Sequence, residues 1–176
     1  MAGHSHWKQI KIKKKTTDQK RGRVFSKLIA AIVAAGRLEP NPQFNPRLRT
    51  AVEKAKEHQI PQETIERAVK RADEAIQNLE DLTLEAYGPG GTAILIQIIT
   101  NNKQRTIAEI KHLLKENNTK LAEPGSVRWH FEPDQTQTEW RAKFQQPLNE
   151  EDKKKLQDLI GILENHDDVQ KVFTNA

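Results

Sequence analysis

Between residues 17 and 78 the apolar positions recur with a helical period. Val24, Phe25, Leu28, Ile29, Ile32 and Val33 follow an i, i+1, i+4, i+5 rhythm, which gathers them on one face at about 100° per residue. The pattern predicts a helix capped by Thr17, ended by Gly36 and followed by the connector Pro40-Asn41-Pro42. Lys20, Arg23 and Lys27 fall within about 60° of one another on the opposite side, so this helix is expected to carry a core stripe and a basic stripe. Asn45 followed by Pro46 announces a second helix with Leu48, Val52 and Ala55 inward. A third starts around Pro61 and repeats the period through Ile65, Ala68, Val69, Ala72 and Ile76. Three helices joined by short turns make a small helical domain.

Ahead of them, residues 1–16 hold Gly3, two His, Trp7 and five Lys, with Ile10 and Ile12 the only aliphatics beyond Ala2. Such a segment builds no core and reads as a flexible basic arm. Near residue 79 the period turns from helical to extended. Leu82 to Tyr87 reads as a strand, Gly88-Pro89-Gly90-Gly91 as a tight turn, and Thr92 to Thr100 as a buried strand. A helix is expected from Lys103 to Glu116, strands near Lys120 to Ala122, Ser126 to Phe131 and Thr138 to Phe144, a helix from Glu150 to Asn165, and a strand from Val169 to Thr174. The resulting order, ββαβββαβ, is that of an α+β sandwich with both helices against an antiparallel or mixed sheet. The domains are then an arm at 1–16, a helical domain at 17–78 and an α+β domain at 79–176.

Composition narrows the function. No apolar run among the 176 residues, the segment Thr92 to Ile99 included, approaches the roughly 18 that a membrane helix needs. The apolar stretch after the basic start is broken by Lys27, unlike a signal peptide. The chain has no cysteine, which removes disulfides, thiolate nucleophiles and zinc ribbons, and a reducing cytoplasm is the expected location. The net charge of +5 conceals segregation: residues 1–37 carry about +9, residues 38–79 are neutral, and residues 80–176 carry −4. A strongly basic head on a mildly acidic body implies a polyanionic partner.

Enzymatic signatures are weak. The glycine turn lacks a following Gly-Lys-Ser/Thr, and a strand rather than a helix comes next, so a hairpin turn needing positive φ explains it better than a phosphate cradle. The carboxylate clusters sit on helix surfaces or at the helix start Glu150-Glu151-Asp152. The six histidines lack the spacing of a helical metal site. No catalytic residue, metal, cofactor or small-molecule substrate is expected.

The basic head carries the chemistry instead. Lys8, Lys11, Lys13, Lys14, Lys15, Lys20, Arg21, Arg23 and Lys27 supply cations for phosphates, with His4, His6 and Trp7 interleaved. Cations give salt-dependent attraction, while an indole stacks on an exposed base. Arg47, Arg49 and Arg105 are candidates to extend the patch.

Several segments resemble the YebC/PmpR family: Met1 to Trp7, Asp18 to Ile29, Asn45-Pro-Arg-Leu-Arg49, Ile60 to Ala68, Tyr87 to Ala93, Asn101 to Thr106, Pro124-Gly-Ser-Val127 and Asp168-Val169-Gln170. They span nearly the whole chain in order. The resemblance implies an N-terminal helical domain, a ferredoxin-like second domain, and a third domain inserted in the second. It also implies a cytoplasmic regulator of gene expression: some members are described as DNA-binding transcriptional regulators, others as ribosome-associated translation factors, with a mitochondrial relative among them. Here Phe131 leads through Pro133 and Gln135 straight to Thr138, so the inserted domain is expected to be absent. His6 stands where the family usually has Lys, and 119–123 lacks its usual glycines. The reading is a non-enzymatic regulator whose partner is ribosomal RNA on the translating ribosome, with duplex DNA as the alternative. Balanced charge on the second and third helices, with no evident recognition helix, favours RNA.

Overall fold

The computed structural model describes residues 3–73, 79–134 and 139–176, with the backbone alone for 3–16 and 73. Helix α1 runs from Gly3 to Gly36, α2 from Pro46 to Glu57 and α3 from Gln62 to Asp73. The expected start at Thr17 is corrected: the backbone is helical from Gly3 onward. Between Gly3 and Thr17 there is no proline and no glycine, while Lys, Gln and Ile tolerate a helix well, so nothing interrupts propagation backward from the packed half. Asn45 caps α2 as expected, its side chain accepting from the Leu48 amide at 3.0 Å while its Nδ2 donates to the carbonyls of Ala35 and Glu39. One side chain thus closes α1, the connector and α2 together. Ile32, Val33, Leu48, Ala55, Ile65 and Ala68 form the core of these helices. Ile76 lies outside the described residues.

The second domain follows the expected order: β1 (Glu80–Tyr87), β2 (Ala93–Thr100), α4 (Lys103–Glu116), β3 (Lys120–Leu121), β4 (Phe131–Pro133), β5 (Trp140–Ala142), α5 (Glu150–Glu164) and β6 (Val169–Thr174). Four strands form an antiparallel sheet in the order β3-β1-β2-β6, while β4 and β5 pair separately. Alternation along β2 explains its two-sided burial. Ile94, Ile96 and Ile98 meet Ile110 and Leu114 of α4 and Leu156, Leu159 and Leu163 of α5. Ala93 and Leu95 face the other way, onto Val127, Phe131, Trp140 and Phe173.

Two strand expectations are corrected. The fourth strand begins at Phe131 rather than Ser126, because the preceding amides are taken elsewhere: Gly125, Val127 and Arg128 donate to the Glu85 carboxylate at 2.6, 2.7 and 2.8 Å. Gly125 also sits at φ 87°, outside the strand region. The fifth strand is shortened to Trp140–Ala142, and Thr138 lies outside the described residues. The glycine turn is the expected hairpin device. Gly90 has φ 64°, and a Cβ there would approach Leu148 Cδ2 to 2.4 Å. Among the described residues no helix is long and apolar enough to cross a membrane.

Candidate nucleic-acid interface

Helix α1 carries most of the candidate residues. Of His4, His6, Trp7, Lys8, Lys11, Lys13, Lys14 and Lys15 the structure describes the helical backbone and not the side chains. From Thr17 onward the basic stripe divides. Lys20 and Arg21 are exposed, and the Arg21 guanidinium lies 5.3 Å from the centre of the Phe25 ring. Arg23 and Lys27 instead dock on the end of α5. Arg23 pairs with Asp167 at 3.0 Å and donates to Asn165 Oδ1 at 3.0 Å, while Lys27 donates to the Glu164 carbonyl at 2.6 Å. The expectation of one continuous exposed stripe over Lys20, Arg23 and Lys27 is therefore corrected. Burial pushes the Lys27 ammonium below its ordinary value, with Arg23 adding to the effect and Glu164 and Asp167 opposing it. The cause of docking is electrostatic. Helix α5 has no basic residue in its last turn, so its free carbonyls and negative dipole end are met by cations of another helix.

The remaining arginines also have intramolecular partners. Arg47 reaches Asp81 at 2.5 Å, joining α2 to β1. Arg49 donates to the carbonyls of Pro42 and Gln43, both at 3.2 Å, and so braces the connector. Arg105 pairs with Asp168 at 2.7 Å and lies 3.8 Å from Glu109. Of these residues, Arg23 and Arg105 share a cleft of about 710 Å³ between α1 and the α+β domain, which Asn101, His166 and Asp168 also line. Arg47 and Arg49 do not reach it.

Asp168 organises the cleft floor. Burial raises its pKa, but hydrogen bonds from Thr106 at 2.6 Å, Arg105 at 2.7 Å and Thr100 at 3.0 Å more than offset this and hold the carboxyl below its ordinary value. Glu109, His166 and Asp168 place one potential metal-ligand atom each within 4.8 Å of one another. One oxygen of each carboxylate and the His166 Nδ1 already have partners within the protein. The Asp168 amide donates to His166 Nδ1 at 3.1 Å, which leaves the proton on Nε2, 2.9 Å from Glu109 Oε2. With Arg105 inside the group as well, the cluster fits an internal ion-pair network better than a cation site.

A second seam joins the domains along the outer face of the sheet. Lys54 of α2 and Lys171 of β6 both bond Glu139, the former at 2.8 Å. Burial raises the Glu139 pKa, and these two lysines more than reverse it. The sequence pattern did not single out Glu85, Glu139, Asp167 or the threonines at 100 and 106. The available signal was indirect, since Thr106, Asp168 and Pro124 to Val127 lie in segments of family resemblance whose roles become visible only in three dimensions.

The comparisons with known proteins cover the same ground. The TACO1/YebC protein N-terminal domain matches residues 5–75, and the TACO1/YebC second and third domain matches residues 79–134 and 130–176. A protein of Aquifex aeolicus named "Probable transcriptional regulatory protein" is 47% identical over 135 residues, covering 75% of this chain and 54% of that protein. One of the same name from Chloroherpeton thalassium is 45% identical over the same span and shares. A crystal structure described as that of a conserved hypothetical protein from Aquifex aeolicus superimposes with a TM-score of 0.80 at 29% identity, covering 90% of each chain. The chain spans about half the length of the curated relatives it matches.

Proposed function

The chain belongs to the TACO1/YebC family, and from that premise we propose that it is a non-enzymatic regulator of gene expression that grips nucleic acid phosphates with the N-terminal half of α1. One observation carries the reading. Helix α1 is continuous over 34 residues, about 50 Å at 1.5 Å per residue, and its second half is fixed in the helical core and latched to α5. The segment bearing Lys8, Lys11, Lys13, Lys14 and Lys15 is thus the continuation of an anchored rod. Lys20 and Arg21 extend it, whereas Arg23, Lys27, Arg47, Arg49 and Arg105 serve the fold's own contacts.

RNA on the ribosome is the preferred target, in the cytoplasm. Helices α2 and α3 carry mixed charge, and a basic rod without a groove-reading partner helix suits backbone contacts on irregular RNA. A second reading, a DNA-binding transcriptional regulator, is favoured by the name that the relatives carry. Neither reading calls on the inserted domain, which the sequence resemblance leads one to expect to be absent between Phe131 and Thr138. Sedimentation of a cell lysate at physiological salt tests them. Ribonuclease-sensitive co-migration with ribosomes is the expected result. Recovery in the ribosome-free fraction, together with a footprint on defined DNA, overturns the first reading in favour of the second.

A further inference from the structure

The acidic body also presents an aromatic surface that the basic rod does not account for. Tyr87, Trp129 and Phe144 are 38%, 57% and 59% exposed. Isolated surface aromatics are ordinary, but these are held together. The Tyr87 hydroxyl and the Trp129 Nε1 both donate to the Ser126 carbonyl, at 3.0 and 2.8 Å. Phe144 lies 6.3 Å from Trp129 between ring centres, and His130 backs the indole at 3.6 Å. The support beneath is rigid, because Glu85 is buried and accepts the amides of Gly125, Val127 and Arg128. Those bonds overcome the effect of burial and keep the Glu85 carboxyl ionised below its ordinary pKa range. With the polar edges of Tyr87 and Trp129 bonded to protein, these two rings are oriented before any partner arrives.

We propose that Tyr87, Trp129 and Phe144 form a stacking platform for unpaired bases of single-stranded RNA. The proposal rests on the nucleic-acid reading above and adds a second contact point on the α+β domain. Size favours bases over a protein partner. Rings of this kind bury 150–250 Å² each, so the exposed fractions offer roughly 300 Å². A stable protein interface needs about 800 Å² per partner, whereas one or two bases need little more than a ring each. Cations are nearby in the chain. Arg128, Arg141 and Lys143 are exposed, and among the described residues none of them forms a salt bridge, although the Arg128 charge acts on the Glu85 carboxylate. Arg128 lies over the buried Trp140 at 4.8 Å. Glu123, Glu132, Asp134 and Glu139 are the acidic residues nearby in the chain; Glu132 is paired in register with Arg141, and Glu139 is bonded to Lys54 and Lys171.

The test is fluorescence anisotropy of a labelled short oligoadenylate, and of a matched duplex, with the full-length chain and its Trp129→Ala, Phe144→Ala and Trp129→Phe variants. Thermal melting confirms that each variant is folded. Stacking contributes about 1–3 kcal/mol per base, so each alanine variant should bind the single strand roughly 5- to 150-fold more weakly. Its salt dependence and its duplex affinity should not change, and Trp129→Phe should retain most of the affinity. Unchanged single-strand affinity in both alanine variants, with weakened binding in a Lys13, Lys14 and Lys15 triple alanine variant, overturns the platform and leaves the nucleic-acid reading standing. Failure of the wild-type chain to bind either probe overturns both. Concentration-dependent self-association lost in Trp129→Ala, with single-strand affinity intact, assigns the surface to a second copy and also overturns the platform.

Discussion

The ammonium of Lys27 donates to the main-chain carbonyl of Glu164 at 2.6 Å, so the first helix of the chain supplies the cation that the last helix lacks at its own C-terminus. Arg23, one turn earlier on α1, continues the contact to Asn165 and Asp167. Together with Arg47 to Asp81 and Lys54 to Glu139, this makes the seam between the two domains cationic on the helical side and anionic on the sheet side. Half of the basic residues of α1 beyond residue 19 therefore hold the domains in place.

Lys27→Ala should loosen that seam without unfolding either core. A charge-assisted hydrogen bond contributes about 1.5–3 kcal/mol, but burial of the ammonium, which lowers its pKa, offsets much of that gain, so the expected loss is at most about 1 kcal/mol. Hydrogen exchange should quicken in the middle of α1 and at the end of α5, while β2 remains protected. Uniform acceleration across β2 would mean that the contact supports the whole fold rather than the seam.

Binding should separate the two kinds of cation on α1. Replacing Lys13, Lys14 and Lys15 by Ala is expected to flatten the dependence of log affinity on log salt by up to about 0.9 per lost phosphate contact on duplex DNA, or about 0.7 on a single strand. Arg23→Ala with Lys27→Ala should leave the slope near its native value, because those charges are already paired. A slope carried by the second pair would place the interface on the docked half of the helix.

The parts of this fold legible in the sequence are those fixed by local chemistry. Asn45-Pro46 marks a cap and a first turn, the β2 run marks a strand buried on both faces, and the positive φ of Gly90 follows from a turn that must reverse within four residues. Long-range capture was not legible. Residues 126–130 look extended by composition, yet Glu85, some 40 positions earlier, removes the amides that a ladder would need. The basic stripe failed in the same way. Helical periodicity placed Lys20, Arg23 and Lys27 together, but nothing local reveals that α5 ends without a cation of its own and draws two of the three inward.

The glycine turn should prove structural rather than phosphate-binding. Gly90→Ala forces a Cβ to within 2.4 Å of Leu148 at a φ of 64°, and strain of this kind costs about 1–3 kcal/mol. A lowered melting temperature with nucleic-acid affinity intact in the folded fraction is expected. Unchanged stability together with lost binding would return the turn to the functional surface.

Acid should destabilise the chain through Glu85. Its ordinary value is 4.5, and in the folded protein it lies lower because, although burial raises it, three amide donors and Arg128 outweigh that effect. The unfolded chain therefore takes up a proton first as pH falls, so the stabilisation is complete above about 4.5 and is lost as pH drops through the folded value. Asp168 and Glu139 are shifted in the same direction and act in the same window. Glu85→Gln removes one of the three groups and leaves an amide that cannot accept all three bonds, costing about 2 kcal/mol at neutral pH. Urea midpoints measured at neutral pH and again below the ordinary carboxylate range should show the gap between wild type and variant narrowing in acid. A gap of constant size would mean that the cradle around Glu85 acts through shape alone and that its charge contributes nothing.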